Sequence, residues 1–341
     1  MKCSVVILNW NGEKMLRRFL PIVLQNTEIE DVEIVVADNG STDSSLEYLK
    51  TQDVRVIEFE KNYGFAEGYN RAINLIDSEY VVLLNSDIEV TPYWLDHMLD
   101  YMDTHPNILA IQPKILSWHS KQDVILGNVS DLRFEHAGAA GGMIDILGYP
   151  YCRGRIMSFV ENDKGQYDDI VPIFWASGAC LLTRTNIYKK MGGLDPIFFA
   201  HQEEIDFCWR LHNKYDSSSK NTPIITVYPQ AVVYHVGGGT LGYESPRKTF
   251  LNFRNNLLML YKNVPRKHLW WLMIIRFFMD YLAAIQMVVS KQKDNAKAVL
   301  QARYAFHRLK KQYHKNNISQ FPLLVSKRSI VLDFYLLKKK V

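Results

Sequence analysis

Motifs for disulfides and for phosphate-binding loops are missing from this sequence. Its 341 residues include only four cysteines, Cys3, Cys152, Cys180 and Cys208, without a CxxC spacing. This favours a reduced, cytoplasmic chain over a disulfide framework. No GxGxxG follows the first predicted strand and no GxxxxGK[ST] occurs anywhere. Dinucleotide-binding and P-loop functions therefore lack their key residues.

The sequence also lacks a secretory signal, an internal repeat and a low-complexity tract. The apolar run in MKCSVVILNWNGE is very short, and we interpret it as a first β-strand. With 48% hydrophobic residues, the chain is long enough for one large domain, or for a domain with an appendage.

Acidic residues are scarce in one region only. From residue 262 to the end there are 17 Lys and Arg against 3 Asp and Glu, a net charge of about +14. The preceding 23 basic and 33 acidic residues leave a net charge of −10. We therefore expect a body, residues 1–261, and a basic helical tail, residues 262–341. Nucleic acid, an anionic membrane or an acidic partner would each suit such a tail, but no nucleic-acid recognition motif supports the first.

An almost wholly apolar stretch opens the tail. Residues 268–290 are long enough to span a bilayer, but Arg276 and Asp280 would each cost about 2.5–3.5 kcal/mol at its centre. Their i, i+4 spacing would let them pair. The stretch could lie on a membrane surface, pack on the body as a soluble helix, or span the bilayer. The paired Trp270 and Trp271 and the basic helix that follows favour an anionic surface. We thus expect a cytoplasmic protein, peripheral on the inner face of the plasma membrane.

Strand and helix patterns alternate through the first hundred residues. CSVVIL, VEIVVADN, VRVIEF and YVVLLN are buried-strand runs, and helically spaced apolar residues separate them. Thr91 before Pro92 predicts the start of a helix. The alternation predicts an α/β fold with a mostly parallel sheet and helices on both faces. Residues 105–175 predict loops and short strands beside this sheet.

Small polar residues follow each of the four predicted strands. The four ends are Asn9-Trp10-Asn11-Gly12, Asp38-Asn39-Gly40-Ser41, Asn62-Tyr63-Gly64-Phe65 and Asn85-Ser86-Asp87. Ligands bind at the carboxyl ends of strands in open parallel sheets, although Asn, Asp and Gly are also ordinary turn residues. Trp10 and Asp38 would suit a nucleotide base. Asp87 would suit Mg²⁺ or Mn²⁺, because phosphate oxygens and water complete the shell of these ions.

Six segments, in order along residues 3–260, resemble the family 2 glycosyltransferases, and especially their bacterial rhamnosyltransferase-like branch. They are SVVILNWNG, VVADNGSTDSS, NYGFAEGYNRAI, LLNSDIEV, WASGACLLTR and GGLDPIFFAHQEEIDFCWR. The resemblance implies the GT-A fold, a Rossmann-like sheet with a nucleotide-sugar half (about 1–105) and an acceptor half (about 106–261). It implies an inverting, metal-dependent hexosyltransferase that uses a nucleotide-diphosphate sugar. The acceptor would be a saccharide or lipid-linked glycan of cell-surface polysaccharide synthesis, and rhamnose is the first guess for the sugar.

The resemblance also assigns roles to single residues. The nucleotide-sugar positions are Leu8, Trp10, Asp38, Asn39, Gly64, Phe65, Asn70, Ser86 and Arg254. The metal positions are Asp87 and His235, and Asn85 stands where many relatives carry Asp, which leaves one fewer negative charge. Glu204 matches the base that accepts the proton of the acceptor hydroxyl, with Glu203 beside it, where relatives typically have Glu-Asp.

Each assignment has a purely structural alternative. Glu203 and Glu204 could simply charge the first turn of a helix. His235 and Arg254 could be ordinary core or surface residues, and Trp175 could either stack on an acceptor sugar or fill the core. Two rival functions remain. A sugar-phosphate nucleotidyltransferase would need a Gly-rich basic loop, which NWNGEKMLRR matches poorly, and a non-catalytic membrane-associated binding protein could keep the same fold.

Overall fold

The computed structural model describes residues 1–215, 224–237, 245–313, 318 and 320–338, and strands alternate with helices in its first part. The elements up to residue 125 are β1 (Cys3–Asn9), α1 (Glu13–Gln25), β2 (Val32–Asp38), α2 (Ser45–Leu49), β3 (Arg55–Glu58), α3 (Phe65–Asn74), β4 (Tyr80–Asn85), β5 (Ile88–Val90), α4 (Asp96–Thr104), β6 (Ala110–Ser117) and α5 (Trp118–Ile125). The predicted alternation of the first hundred residues is confirmed.

β1 to β4 form a parallel block in the order β4-β1-β2-β3. Val5 of β1 packs in one hydrophobic core with Leu16 of α1, whereas Val6 packs in the opposite core with Tyr69 of α3. Helices therefore cover both faces of the block. This explains the continuous apolar runs, because a strand that is buried on both faces needs apolar residues at every position.

Further strands extend this block into a mixed sheet. The later elements are β7 (Gly142–Asp145), β8 (Pro150–Cys152), β9 (Arg155–Ile156), β10 (Phe159–Val160), β11 (Val171–Pro172), β12 (Cys180–Arg184), α6 (Thr185–Lys190), α7 (Glu203–Tyr215), β13 (Ile225–His235), α8 (Pro246–Asn263), α9 (Arg266–Val289), α10 (Lys293–Leu309), β14 (Val325–Ser326) and α11 (Ile330–Tyr335). The order is β11-β13-β6-β12-β4-β1-β2-β3, with β5 paired to β13. β12 is antiparallel to β4 and β6, and β6 is parallel to β13.

Two predictions about local structure were wrong. Residues 105–175 contain β6, a full strand of the main sheet, where loops and short strands were expected. Pro113 made this strand hard to predict, because proline is uncommon inside strands. It is tolerated near bulges. β13 indeed shifts register between Tyr228 and Val232, just after the residue paired with Pro113. The fourth helix begins at Asp96 rather than directly after Thr91-Pro92, because Tyr93 has a φ of 60°, outside the helical range.

The tail packs against the body through α10 and β14. In the described residues a second sheet has the order β10-β9-β8-β7-β14, and β14 runs parallel to β7. Leu272 of α9, Phe306 of α10 and Val325 of β14 belong to the main hydrophobic core. α8 ends at Asn263, next to the predicted boundary at residue 262, and the division into body and tail stays a prediction.

α9 buries only one narrow stripe. Its buried residues are Leu272, Arg276, Asp280 and Ala284, each one turn from the next. Arg276 lies 3.2 Å and Arg303 of α10 lies 2.6 Å from the Asp280 carboxylate. Both charges of the apolar stretch thus face the protein. By length and composition alone, α9 is the one helix in the described residues that could cross a membrane.

Candidate active site

The carboxyl ends of β1, β2 and β4 meet at one edge of the main sheet. Asn9 is paired with Asp38 across β1 and β2, and Leu8 is paired with Asn85 across β1 and β4. The polar residues that follow three of the predicted strands therefore lie side by side. The sheet brings together one carboxylate and two amides from three distant parts of the sequence.

Gly12 brings the start of α1 against this edge. A Cβ atom at Gly12 would lie 2.4 Å from Asn9 Oδ1 and 3.7 Å from Ser86 Oγ. Only a residue without a side chain fits there. Asn9 Oδ1 is buried and has no hydrogen-bond partner among the described residues. The edge therefore carries an unused acceptor close to Ser86.

Asp38 is buried at the end of β2, and Trp10 is open to solvent. The Asp38 carboxylate accepts hydrogen bonds from Asn9 Nδ2 at 3.0 Å and from the Ser41 backbone N–H at 2.8 Å. The Trp10 side chain is 43% exposed, whereas Leu8 is half-buried. Trp10 follows Asn9, whose amide holds the Asp38 carboxylate, and its exposed indole is a surface on which a planar base could stack.

The segment from residue 62 to residue 65 forms one wall beside this edge. Asn39 Nδ2 donates to Asn62 Oδ1 and to the Gly64 carbonyl, each at 3.1 Å. Gly64 has a φ of 83°, and a Cβ atom there would lie 2.5 Å from the Phe199 ring. The Phe65 N–H donates to the Phe199 carbonyl at 2.7 Å. Asn39 and Gly64 therefore shape this wall and place Phe65 at its rim.

Asn70 connects the same wall to the acceptor half. Its side chain accepts from the Tyr188 hydroxyl at 2.8 Å and exchanges two hydrogen bonds with the Leu194 backbone. The amide is engaged by protein on both sides. A direct contact from Asn70 to a nucleotide stays a prediction.

Asp87 and His235 lie together at the end of β4. The pairing of β13 with β5 places His235 opposite Ile88, and His235 Nε2 lies 3.2 Å from Asp87 Oδ1. The Asn85 amide is 3.5 Å from the same nitrogen. Burial raises the pKa of Asp87, but His235 outweighs it and lowers that pKa below its usual value.

Glu135 contacts the other side of the His235 ring and was missed from the sequence. Its carboxylate lies 3.6 Å from His235 Nδ1 and accepts from the Ala137 N–H. Although burial alone lowers it, Asp87 and Glu135 raise the pKa of His235 to about 10. His235 Nδ1 has no hydrogen-bond partner among the described residues, so Glu135 acts on the ring through its charge. The sequence offered no signal for it, since Glu135 lies in the stretch where loops and short strands were expected.

The Asp87–His235 pair fits two neighbouring ligands of one octahedral ion. Ligands about 2.1 Å from a metal and at right angles to each other lie roughly 3 Å apart, close to the 3.2 Å observed here. No three His, Cys, Asp or Glu side chains are grouped to hold a metal in the part of the chain that the structure describes. This agrees with Mg²⁺ sites, which take one or two protein ligands and complete their shell with substrate phosphate and water. The residues fit a divalent cation, which would displace the proton from His235.

Two unpaired carboxylates open α7. Glu203 is 3% exposed and Glu204 is half-buried, and one oxygen of each lacks a hydrogen-bond partner among the described residues. Burial raises the pKa of Glu204 to about 7. Burial, followed by the charge of Glu204, raises the pKa of Glu203 well above its usual value. The residues just before them, Phe199, His201 and Gln202, have φ values between 64° and 71°, and backbone strain of this kind clusters at functional sites.

Glu204 is connected to the sheet edge through Gly178. A Cβ atom at Gly178 would lie 3.3 Å from the Phe65 ring and 3.6 Å from Glu204 Cβ. The next residue, Ala179, accepts a hydrogen bond from the Asn85 N–H at 3.0 Å. Gly178 therefore lies between Phe65 and Glu204, and Ala179 holds this segment against the end of β4.

Asp206, one turn further along α7, is fully paired. It lies 2.8 Å from both Arg210 and Lys262 and accepts from Asn263 Nδ2 at 2.7 Å. Burial raises its pKa, but Lys262 and Arg210 outweigh burial and lower the pKa below the usual value. This carboxylate holds α7 against α8, which leaves Glu203 and Glu204 as the acids of the helix without a cationic partner in the part of the chain that the structure describes.

Arg254 and Asn255 of α8 hold the strained segment before α7. Arg254 donates to the carbonyls of Ile197 and Phe198 at 2.8 and 2.9 Å. Asn255 donates to the carbonyls of Phe198 and His201 at 3.0 and 2.7 Å. In this structure Arg254 therefore supports the backbone that positions the Glu203–Glu204 pair. Its predicted role at the diphosphate stays a prediction.

Trp175 lies in the core. It is 3% exposed, and its indole N–H donates to the Met143 carbonyl at 2.8 Å. Gly142 allows this packing, because a Cβ atom there would lie 2.1 Å from the indole ring. The side chain fills space between the two sheets, and its predicted contact with an acceptor stays untested.

Residues 4–125 match the protein-family model described as glycosyl transferase family 2. The chain carries a glycosyl transferase family 2 domain. The matched residues contain Leu8, Trp10, Asp38, Phe65 and Asp87, so most of the sheet edge belongs to the domain. Glycosyl transfer is the class of reaction that this domain performs, and the resemblance seen in the sequence is confirmed.

A curated relative extends the similarity beyond this domain. The N-acetylglucosaminyl-diphospho-decaprenol L-rhamnosyltransferase of Mycobacterium tuberculosis is 24% identical over 280 residues, which are 78% of this chain and 85% of that protein. The chain is thus similar to a rhamnosyltransferase, as the resemblance implied.

Two solved structures share the fold. The chain covers 85% of S. aureus TarS 1-349 in complex with UDP-GlcNAc, which covers 91% of this chain at 16% identity and a TM-score of 0.54. It covers 87% of the mannosyltransferase PcManGT from Pyrobaculum calidifontis in complex with GDP-Man and Mn²⁺, which covers 90% of this chain at 11% identity and a TM-score of 0.54. At these identities the likeness concerns the fold alone, and the predicted GT-A fold is confirmed.

Proposed function

We propose that this protein transfers a hexose, with inversion, from a nucleotide-diphosphate sugar to a lipid-linked or saccharide acceptor of cell-surface polysaccharide synthesis. Glu204 is the proposed base, Asp87 and His235 hold a divalent cation, and Trp10 and Asp38 bind the base of the nucleotide. The observation that carries the proposal is Glu204. It is a half-buried carboxylate with a pKa of about 7, one oxygen of which has no hydrogen-bond partner among the described residues, and it adjoins the nucleotide edge through Gly178.

The pKa of Glu204 suits a general base at neutral pH. An effective base has a pKa close to the working pH, because it must be ionised and must still hold a proton strongly. Glu203 is buried beside it, and burial, followed by the charge of Glu204, raises the pKa of Glu203 well above its usual value. Of the two glutamates, the geometry favours Glu204, because only Glu204 is partly open to solvent.

The transfer is an in-line displacement. The acceptor oxygen forms a bond to the anomeric carbon, the bond from that carbon to the diphosphate oxygen breaks, and the hydroxyl proton moves to Glu204. The nucleoside diphosphate leaves with the bonding electron pair. A bound Mg²⁺ or Mn²⁺ would stabilise the charge that develops on the diphosphate. No covalent enzyme intermediate is needed.

A donor screen tests this function. Thermal unfolding is measured with a panel of nucleotide sugars, with and without Mn²⁺, because a ligand that binds only the folded state raises its stability. Turnover is then measured as nucleoside diphosphate release with a saccharide or lipid-linked acceptor. Wild-type protein that neither shifts nor turns over with any donor would contradict the proposal. Pyrophosphate release from a nucleoside triphosphate and a sugar phosphate would instead support the nucleotidyltransferase alternative.

Deoxythymidine diphosphate-rhamnose is the first donor to test. The support is the similarity to the M. tuberculosis rhamnosyltransferase, whose name also specifies a diphospho-decaprenol acceptor. TarS and PcManGT bind UDP-GlcNAc and GDP-Man, respectively. The panel must therefore include uridine and guanosine donors as controls.

The proposal includes a place on the inner face of the plasma membrane. α9 presents the exposed apolar residues Leu282, Ile285 and Val289, and residues 262–341 carry a net charge of about +14. An apolar ridge on a basic segment suits an anionic surface. Sedimentation with anionic and neutral liposomes at rising salt tests this, and binding that ignores both lipid charge and salt would contradict it.

A further inference from the structure

A groove of about 800 Å³ lies between α9 and α10, outside the candidate active site. One wall consists of residues of α9 on adjoining turns. They are Leu269, Trp270, Met273, Ile274, Phe277 and Phe278. The wall extends from the beginning of the helix to its middle. The volume of the groove lies in the range of small-molecule sites, about 300–1,000 Å³.

The floor of the groove is part of the hydrophobic core. Val264 and Phe306 line it and are fully buried. Tyr261 packs edge-on against Phe306, with ring centroids 6.0 Å apart. Because these residues are fixed by the body of the protein, the groove exists before any ligand binds.

The apolar residues in the wall of the groove are exposed, whereas the exposed face of a soluble helix is usually polar. Trp270 is 65%, Ile274 is 51% and Phe278 is 66% exposed. Contiguous apolar surface of this kind marks a binding site for a protein, a membrane or a ligand. The groove is concave and lined by aromatic and aliphatic side chains, so its shape suits a single hydrocarbon chain.

One end of the groove is cationic. Arg266 at the start of α9 and Lys310 just after α10 both line it. Neither forms an ion pair with a carboxylate within the described ranges. Arg303, further along, is paired with Asp280 at 2.6 Å. The unpaired positive charge therefore lies at the Arg266 end, and apolar residues continue from there to Phe278.

We propose that this groove, the α9–α10 groove, binds the lipid part of the acceptor as a polyprenyl diphosphate. The diphosphate lies against Arg266 and Lys310, and the prenyl chain follows the α9 wall from Leu269 to Phe278. The twelve helical rises from Arg266 to Phe278 span about 18 Å, which is long enough for the first units of a prenyl chain. The assignment rests on the proposed function, which supplies a lipid-linked acceptor.

Charge complementarity selects this occupant over the bilayer. The exposed residues Leu282, Ile285 and Val289 continue the same face of α9 beyond the groove and do not line it. The groove instead combines a slot for one chain with two cations at a single end. A prenyl diphosphate carries an anionic head and one apolar chain in the same order.

Binding of farnesyl diphosphate to the full-length protein tests the proposal by titration calorimetry below micelle-forming concentrations. Inorganic pyrophosphate supplies the head alone, and dodecyl phosphate supplies a straight alkyl chain on a single phosphate. We expect farnesyl diphosphate to bind at least tenfold more tightly than either. Equal binding of dodecyl phosphate would overturn the proposal in favour of a general lipid site.

Matched substitutions locate the binding. Ile274→Glu should weaken farnesyl diphosphate binding at least tenfold, whereas Leu282→Glu, also exposed on the same helix but outside the groove, should leave it unchanged. Lys310→Glu should weaken binding several-fold, and Lys311→Glu, on the next residue, should do so less. Equal loss in Ile274→Glu and Leu282→Glu would mean adsorption to the whole helix surface and would overturn the proposal.

The donor response separates this proposal from the proposed function. Ile274→Glu should keep the thermal shift produced by a nucleotide sugar with Mn²⁺, which also shows that the variant is folded. Loss of farnesyl diphosphate binding with an intact donor shift supports the groove. If the wild-type protein responds to donors and does not bind farnesyl diphosphate, only the groove assignment fails. If it binds farnesyl diphosphate and responds to no donor, the proposed function fails.

Discussion

Two groups of buried charge in this protein are built in opposite ways. Asp280 of α9 lies between Arg276 and Arg303, and each of these cations is within 3.2 Å of its carboxylate. At the start of α7, Glu203 and Glu204 face each other's charge, with one oxygen each unsatisfied in the described structure. Unpaired buried carboxylates destabilise a fold. They persist where chemistry needs a raised pKa.

The difference assigns the groups to different tasks. The group on α9 fixes a helix to the body with compensated charge, and it leaves the rest of that helix free to present apolar surface. The pair on α7 gives up stability and gains a base that titrates near neutral pH. Asp206 makes the contrast within one helix, because it is as deeply buried as Glu203 yet is paired with Arg210 and Lys262.

Replacing the proposed base should have the largest effect. Glu204→Gln keeps the size of the side chain and removes the proton acceptor, so we expect kcat to fall by about 10²–10⁴-fold. Steady-state kinetics with a saturating donor measure it. Glu203→Gln is the matched control and should lose far less activity. Equal losses in both variants would contradict the choice of Glu204.

Breaking the paired group around Asp280 should lower the stability of the protein rather than its catalytic activity. Asp280→Ala leaves two buried arginines without a carboxylate, and we expect the free energy of unfolding to fall by about 3–5 kcal/mol. Urea unfolding followed by circular dichroism measures the change. Leu282→Ala, on the exposed side of the same helix, should change stability by less than about 0.5 kcal/mol. A stable Asp280→Ala protein would mean that these charges do not fix α9.

Replacing Asp206 should cost less stability than replacing Asp280. Asp206→Asn removes the charge, but Lys262 keeps Asp195 at 2.6 Å and Arg210 keeps the Met191 carbonyl. We expect the free energy of unfolding to fall by about 1–3 kcal/mol at pH 7. Because the pKa of Asp206 is lowered in the fold, the loss should shrink as pH falls through the acid range. A loss that is independent of pH would show that the charge is not responsible.

Replacing Glu203 should raise the stability of the protein instead of lowering it. Its raised pKa means that the folded state binds more protons than the unfolded state, so wild-type stability falls as pH rises above about 4.3. Glu203→Gln lacks this penalty and should be modestly more stable than the wild type at pH 8, with no gain at pH 4. Thermal unfolding at the two pH values measures it. A variant that is less stable at pH 8 would argue for an unseen partner of Glu203.

Short-range patterns predicted much of the fold and of the nucleotide edge. The alternation of strand and helix runs placed β1 to β4 correctly, and the polar ends of β1, β2 and β4 meet as a parallel sheet requires. Local patterns failed at Pro113, which hid β6, and at Pro92, where a helix-start signal precedes a turn. A proline indicates where backbone hydrogen bonding is limited, and it does not reveal whether a neighbouring strand will bulge to accommodate it.

Contacts between distant residues were harder to predict. The approach of Glu135 to His235 joins residues one hundred positions apart, and it depends on β6 and β13 being neighbours. Asn39 and Asn70 were assigned to the nucleotide, but their side chains also bind the protein backbone on both sides. Residue type alone does not separate these uses, because an amide satisfies backbone groups as well as it binds ligands.

The pH dependence of kcat/KM tests the central claim most directly. The claim is that burial prepares Glu204 as a base with a pKa of about 7. Wild-type activity should rise tenfold per pH unit below about pH 7 and level off above it, since only the ionised carboxylate accepts the proton. The residual activity of Glu204→Gln should lack this inflection. A wild-type profile that is flat from pH 5 to pH 8, or an inflection that persists in Glu204→Gln, would contradict the account.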